Sequence, residues 1–481
     1  MGAFRGAITQ LRGRIVKATA EWRVHALGGV LCLALTLCSR HFSDRGGLRF
    51  MIWLTLAGVA YLIAVRELFA APKFSRRVVI IGMALAAIWH IVFLRLPPSA
   101  DDDIHRYVWD GRLQRLGYNP YIVVPSDPAV ASLHTTETRG LNNPDLPSLY
   151  PPGAQLFFRL VTAFHESVSA MKVAFVICDF AISLVLLDLL RTSGRGAHIV
   201  LAYAWNPLLA IEVAGTGHID IVGALLLVIS VAALARSVEL AARLSSQMEP
   251  GSTALRSALN KRSVYAKKAW CTIAALTFGL AVAVKFLPVV LLPLYWKRIR
   301  ARDAALAVAL IALMYVPFLT HGRIPIGSLG TYVTGFRFNG PVFALFHTVA
   351  QPRLLAAIAV LVGLLTAAWL SQRISSRRVA NAFAWPMAAS LIFAPVVFPW
   401  YLLWLVPFLT SPSVWPIIVW TLSIVPTYFM WHFSSLTGSW GALPDWIMPV
   451  EYGCIAVTAA IIALRKRHMK TSELPSQAKP A

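Results

Sequence analysis

Asp101, Asp102 and Asp103 stand together in "PPSADDDIHRYVWDGRLQRLGYNPY", residues 97–121, a few positions after the apolar "IVFLRL". Charged groups at a membrane boundary are costly and are usually there for function. One such acid can take a proton from an attacking hydroxyl as a general base. Two can hold a divalent ion through oxygen ligands. The ordinary alternative is a helix N-cap with solvated charge, since acids in a first turn are common dipole partners. On a helix, Asp103, Arg106, Tyr107 and Asp110 share one face through i,i+3 and i,i+4 spacing, and Asp102 pairs with Arg106.

Other segments add charge of both signs. "AGTGHIDIVGA" carries His218 and Asp220 at the entrance of an apolar run, close to Glu212. Lys285 interrupts "AVAVKFLPVV", and "GFRFNGPVF" offers Arg337 and Asn339. Each has an ordinary reading when taken singly: an interfacial histidine, a snorkelling lysine, a loop cation. As a set they supply cations that suit a phosphate leaving group and acids that suit an alcohol nucleophile. The chemistry they point to is transfer of a group from a phosphate.

The elements that must position these residues are membrane helices. The 481-residue chain is 58% hydrophobic and 14% charged, where soluble proteins carry about a quarter charged residues. Its long apolar runs approach the ~20 residues that a membrane span needs. The fold class expected is all-α and polytopic, with about twelve to fourteen passes placed near 24–38, 50–65, 78–96, 167–190, 197–214, 219–236, 270–284, 286–296, 303–319, 354–372, 380–398, 400–410, 414–430 and 446–464. The runs 270–284, 286–296 and 400–410 are short, and Pro288 and Pro399 mark them as broken helices beside a cavity. The net charge of +23 gathers in alternate loops, as the positive-inside rule requires, and this argues against nucleic acid as a partner. That rule places both termini in the cytoplasm and the acidic loop outside, with the first apolar run retained as a span. The five cysteines have no metal-ligand or disulfide spacing and read as small buried hydrophobes.

The long outer loop 97–155 reads as a helix opening at Asp103 and closed by Gly117, with Ile104, Val108, Trp109, Leu113 and Leu116 as a stripe lying on the membrane surface. "GAQLFFRLVTAF" reads as a second surface or re-entrant helix, and the basic loop 237–268 as flexible and non-catalytic. The chain divides into an N-terminal part, 1–77, with a cytoplasmic tail and two extra spans; a catalytic module, 78–410; and a C-terminal span pair with a basic tail, 411–481.

"DDDIHRYVWDGRLQRLGYNPY", "NNPDLPSLYPPGAQ", "NPLLAIEVAGTGHIDIVGALLL", "GLAVAVKFLPVVLLPL" and "FPWYLLWLVP" resemble, in the same order, the membrane-embedded GT-C glycosyltransferases, and specifically the bacterial polyprenyl-phosphate-mannose-dependent mannosyltransferases. The resemblance runs from about residue 78 to 410. It implies a multi-helix enzyme of the bacterial cytoplasmic membrane with its active site facing the periplasm. A hexose, mannose by weight of family, would pass from a polyprenyl-phosphate donor to a glycolipid or glycan acceptor by inverting displacement. Asp102 and Asp103 match the family's acid pair; Asp101 replaces a small or polar residue, His105 a common Tyr, and His218-Ile219-Asp220 a common His-Asn-Asp.

On this reading Asp102 or Asp103 is the base. Lys285 and Arg337, with Arg106 or His218, hold the phosphate, and Asp110, Asp220 and Asn339 complete the polar set. Tyr107, Trp109 and Tyr150 shape the sugar pocket, because aromatic faces suit the apolar faces of sugars. No cofactor is required, although Asp101–Asp103 retain the chemistry to bind a divalent metal. Two other functions fit a polytopic chain with intramembrane charges: a flippase for lipid-linked sugars, which the lack of internal repeats disfavours, and a non-catalytic subunit of an envelope-glycan complex.

Overall fold

The computed structural model describes residues 2–71, 73–99, 102–246, 254–320, 325–373, 382–438 and 440–472. Asp101 lies outside them. Eighteen α-helices account for most of the described residues, and isolated bridges join Val396 to Phe338 and Asn339. Ten helices are long and apolar enough to cross a membrane, eleven if one bent pair counts as a span. Two shorter apolar helical segments, Ala384–Phe393 and Pro399–Phe408, complete the set.

The first three helices, α1 (Gly2–Ser39), α2 (Leu48–Ala70) and α3 (Arg76–Leu94), pack on one another. Two helices outside the spans follow, α4 (Ile104–Arg115) and α5 (Pro152–Phe164). Then come α6 (Val168–Thr192) and the one-turn α7 (Leu201–Ala204), which meets a π-helical turn, Leu209–Gly215, at a bend of 67°. Buried Asp179 on α6 ties this region together, since it lies 2.7 Å from His90 on α3 and accepts a hydrogen bond from Tyr203 on α7.

The antiparallel partners α8 (Asp220–Ser246) and α9 (Ala254–Val284) come next. Both extend into the stretch 237–268 that the sequence reads as a flexible loop, so that stretch is helical up to Ser246 and again from Ala254. The apolar run 270–284 is therefore the end of a 31-residue helix and not a short pass. By contrast, 286–296 does not span: Pro288 sits in a 3-10 turn, Leu287–Leu291, followed by the one-turn α10 (Leu292–Tyr295). A proline near the start of a turn removes a donor that has no helical partner there, which is why the break falls at this place.

Beyond α11 (Ala301–Tyr315), the short α12 (Leu329–Gly335) and α13 (Pro341–Phe346) precede the long α14 (Pro352–Arg373) and α15 (Ala384–Phe393). Segment 400–410 is 3-10 in character, as two turns, Pro399–Trp404 and Val406–Phe408. The chain ends through α16 (Trp415–Ser423), α17 (Phe429–Thr437) and α18 (Ile447–Ser472). α16 packs on both α2 and α18, so it bridges the second span and the last.

The acidic helix is where the sequence places it, and Gly117 closes it at φ 84°. Its surroundings differ. Ile104, Val108, Trp109 and Leu113 are buried against protein, and only Leu116 of the stripe is exposed. The helix packs on α5 and α6, and Trp109 and Leu113 pack with Val130 and Leu141 of the loop that follows. An amphipathic pattern fixes which face is apolar but not whether lipid or protein covers it.

Candidate active site

A cavity of about 950 Å³ collects most of the residues singled out above. Asp102, Asp103, Arg106, Tyr150, His218, Asp220, Lys285 and Arg337 all line it, and so bring 97–150, the start of α8, the end of α9 and the loop before α13 to one place. Acids and cations from segments more than two hundred residues apart face the same hollow.

The two acids differ in what holds them. Asp102 is buried, its Oδ1 2.7 Å from Arg45 and its Oδ2 accepting the Ser99 N–H at 2.8 Å. Arg45, in the loop between α1 and α2, also donates to Ser99 and lies over the rings of Phe42 and Trp431 at 5.1 and 6.0 Å. Asp102 is thus a paired anion, and its partner is Arg45, not Arg106. Asp103 is partly exposed and has neutral partners: Asn142 donates to Oδ1 at 2.6 Å and the Tyr150 hydroxyl to Oδ2 at 2.7 Å. Burial, with the charge of Asp103 beside it, raises the Tyr150 phenol well above its ordinary value, so it stays a donor.

The loop that brings Asn142 and Tyr150 to Asp103 is held from beneath. Arg106 donates to the carbonyls of Asn142, Asn143 and Leu146 at 2.9, 2.6 and 3.0 Å. Asp110, fully buried, accepts from Ser148 Oγ at 2.5 Å and from Gln155 at 2.8 Å. Burial raises Asp110 to about 6, against the opposing effects of Arg106 and of those two hydrogen bonds. Asp110 is a strut of the loop and does not line the cavity.

The aromatic pair expected to shape the sugar pocket is also beneath the surface. Tyr107 stacks on Phe158 at 4.5 Å and meets Tyr150 edge-on, while Trp109 stacks on His134 at 4.0 Å; neither lines the cavity. Helical spacing puts them near the acids, but on the inward side. The aromatic wall comes instead from the C-terminal third. His218, Trp400, Phe398 and Phe338 form a continuous stack with centroids 4.0, 4.3 and 4.5 Å apart, and Trp431 and Trp440 close it edge-on. No spacing in the sequence joins those segments, although "FPWYLLWLVP" carries Phe398 and Trp400 and "GFRFNGPVF" carries Phe338.

His218 owes its position to backbone geometry. Gly217 has φ 79°, and a Cβ there would lie 2.5 Å from Ile104 Cδ1, so the chain passes α4 closely before α8 begins. His218 is buried, and its Nε2 is 3.1 Å from Glu212. That approach is poorly directed for a hydrogen bond, and neither ring nitrogen has a directed partner among the described residues. Glu212 itself accepts from Tyr428 and, at 3.1 Å, from Thr216.

The cations also differ from each other. Lys285 emerges where α9 ends, with Nζ 2.7 and 3.0 Å from the Asp220 oxygens and 4.1 Å from the Tyr401 ring centroid. Trp404 donates to the same Asp220 at 2.7 Å. Arg337 is exposed, rests over Phe343 at 5.4 Å, and has no carboxylate partner among the described residues. Asn339 is not a cavity residue: it is buried, its φ is 54°, and it donates to Glu451 of α18 at 2.9 Å, anchoring the loop that carries Arg337. Among the described residues no group of three His, Cys, Asp or Glu side chains has the arrangement of a metal site.

One side of the cavity is apolar. Phe286, Leu287, Ala356 and Val360 line it, and Phe286 and Val360 are 40% and 43% exposed. The polar hollow is thereby continuous with apolar surface contributed by the break after α9 and by α14.

No curated protein matches this chain. Two solved structures are similar to it, both of ArnT from Cupriavidus metallidurans, one bound to undecaprenyl phosphate and one in the apo state. They share 15% and 16% identity over 80% of this chain and 71% of theirs, with TM-scores of 0.43 and 0.42. A family model described as alpha-(1->6)-mannopyranosyltransferase, N-terminal domain, matches residues 6–299, which include the N-terminal spans, the acidic loop, His218, Asp220 and Lys285. Since that match takes in more than half of the sequence, the chain is a member of the MptA/B family of glycosyltransferases.

Proposed function

We propose that this protein transfers a hexosyl group, mannosyl by family, from a polyprenyl-phosphate donor to a hydroxyl of a glycolipid or glycan acceptor, on the outer face of a bacterial cytoplasmic membrane. The observation that carries the reading is the cavity itself, where a partly exposed carboxylate, a guanidinium with no carboxylate partner among the described residues and an apolar wall meet. A lipid phosphate sugar needs all three: apolar surface for the tail, a cation for the phosphate, and a base for the incoming alcohol.

Asp103 is the base in this mechanism. Asn142 and Tyr150 orient it without neutralising it, whereas Asp102 is tied to Arg45. The acceptor oxygen forms a bond to the anomeric carbon as its proton passes to Asp103, and the bond from that carbon to the phosphate oxygen breaks with inversion. Polyprenyl phosphate leaves against Arg337, with Lys285 lining the same cavity. His218, with unsatisfied nitrogens at the wall, is placed to hydrogen-bond a sugar hydroxyl or a phosphate oxygen. The step needs no group beyond these residues.

The test is release of polyprenyl phosphate from a mannosyl-labelled lipid donor by purified protein. Asp103→Asn should lower turnover by about a thousandfold, within the ~10²–10⁴ range for loss of a general base, while leaving donor binding intact. Normal turnover in that variant would remove Asp103 from the mechanism.

A further inference from the structure

A second, smaller cavity of about 250 Å³ lies beside the first, lined by Pro125, Ser126, Asp127, Ala131, His134 and Arg139 and completed by Leu141 and Pro144. Leu141 and Pro144 line the large cavity as well, so the two hollows share a rim. Between those two rim residues stands Asn142, which donates to Asp103. The small cavity therefore opens one residue away from the group proposed to receive the acceptor proton.

Its position and chemistry exclude the lipid tail. It is built wholly from the segment between α3 and α5, outside every candidate span. It lies below the ~300–1,000 Å³ usual for drug-sized ligands, room for a monosaccharide unit or two. Two opposite charges face it. Asp127 and Arg139 are exposed, and neither has an ion-pair partner among the described residues. Asp127 spends one oxygen on the Ala129 N–H at 2.9 Å and keeps the other. Prolines and Leu141 supply apolar surface between them.

The floor is rigid. His134 bonds to the Pro125 carbonyl at 2.9 Å and stacks on buried Trp109 at 4.0 Å. The rim is equally fixed, because Arg106 holds the carbonyls of Asn142 and Asn143 from below. A carboxylate, a guanidinium and small apolar patches on an ordered frame suit a pyranose, whose hydroxyls both donate and accept while its C–H faces seek apolar contact.

We propose that this cleft is an acceptor subsite, holding a pyranose unit of the acceptor glycan so that the hydroxyl to be glycosylated reaches Asp103 over the Leu141–Pro144 rim. The inference rests on the reading of the large cavity as a glycosyl-transfer site and adds to it where the acceptor saccharide is gripped.

The experiment uses the full-length chain in lipid nanodiscs, with two probes: 1,6-linked mannobiose, followed by saturation-transfer NMR, and undecaprenyl phosphate, followed by displacement of a fluorescent lipid analogue. The variants are Asp127→Asn, which keeps the oxygen that caps Ala129, and Arg139→Gln; both positions are exposed, so folding is preserved. Mannobiose should bind wild type and weaken about tenfold in Arg139→Gln, the effect of losing one charge-assisted hydrogen bond, with undecaprenyl phosphate unaffected. In transfer assays the same variants should raise the acceptor KM and leave kcat and the donor KM unchanged. Mannobiose that fails to bind wild type, or binds both variants as tightly as wild type, overturns the subsite. Equal weakening of both probes also overturns it, since the cleft would then act on the whole loop. A wild type that binds mannobiose but not undecaprenyl phosphate counts against the lipid-donor reading alone.

Discussion

At the scale of single residues, environment separates side chains that the sequence presents as equals. Asp102 and Asp103 are neighbours with the same chemistry, yet one is matched to a guanidinium 57 positions earlier and the other to an amide and a phenol. Tyr150→Phe should therefore lower turnover by about tenfold, a loss of one hydrogen bond to a charged group, with the loss smaller than in Asp103→Asn; steady-state rates on the labelled donor compare the two. Asp110 gives a prediction for stability. Its carboxyl is raised to about 6 when folded, so the folded state holds a proton that the unfolded chain releases near ~4. Its contribution is intact below that lower value and is lost as pH rises through about 6. Asp110→Asn, whose amide oxygen can still accept from Ser148 and Gln155, should flatten that fall and raise the melting temperature at pH 7 to 8. A thermal series from pH 4 to 8 reads the slope directly.

Elements decide which of these residues can meet. The loop between α1 and α2 delivers Arg45, one basic residue among many in the sequence and separated from the acids by two spans. No spacing rule connects them, which explains why that residue escapes a reading by motif, while Asp103, His218, Lys285 and Arg337 were legible as charges where charge is costly. Trp109 and Tyr107 were misplaced for the converse reason: spacing gives the face they share but not which neighbour covers it. Arg45→Ala should destabilise the fold by ~3–5 kcal/mol, because it strands a buried carboxylate. Adding Asp102→Asn should recover part of that loss, and denaturation in mild detergent measures both steps. Gly327 is a second lever. Its φ is 50°, and a Cβ would lie 1.7 Å from the Ser148 carbonyl oxygen, so Gly327→Ala must push aside the strap that positions Tyr150. Activity should fall more than stability, as paired rate and melting measurements would show.

On the scale of the whole molecule, the apolar periodicity was the strongest signal, and it set the all-helical membrane architecture before any site was considered. Composition and Pro288 and Pro399 together marked 286–296 and 400–410 as broken runs beside a cavity, and both are 3-10 segments that contribute to its wall; the run 270–284, read as equally short, is instead the end of α9. In the proposed reaction the cavity edge at Phe286 and Val360 would admit the lipid tail. Val360→Trp should narrow it and raise the KM for a long-chain polyprenyl donor several-fold, with little effect on a short-chain analogue that can enter from water. Kinetics with the two chain lengths distinguish an obstructed entrance from a general defect.

The pairing of Lys285 with Asp220, in a cavity that also holds a guanidinium with no such partner among the described residues, has a consequence for the timing of turnover. In the proposed reaction the donor is a phosphodiester with a single negative charge, and the departing lipid is a monoester that carries up to two. Arg337 thus attracts the product more than the donor, an asymmetry that helps bond cleavage but delays departure. Escape of the spent carrier into the bilayer, rather than formation of the glycosidic bond, would then be the slow stage, and the enzyme would idle wherever used carrier lipid accumulates.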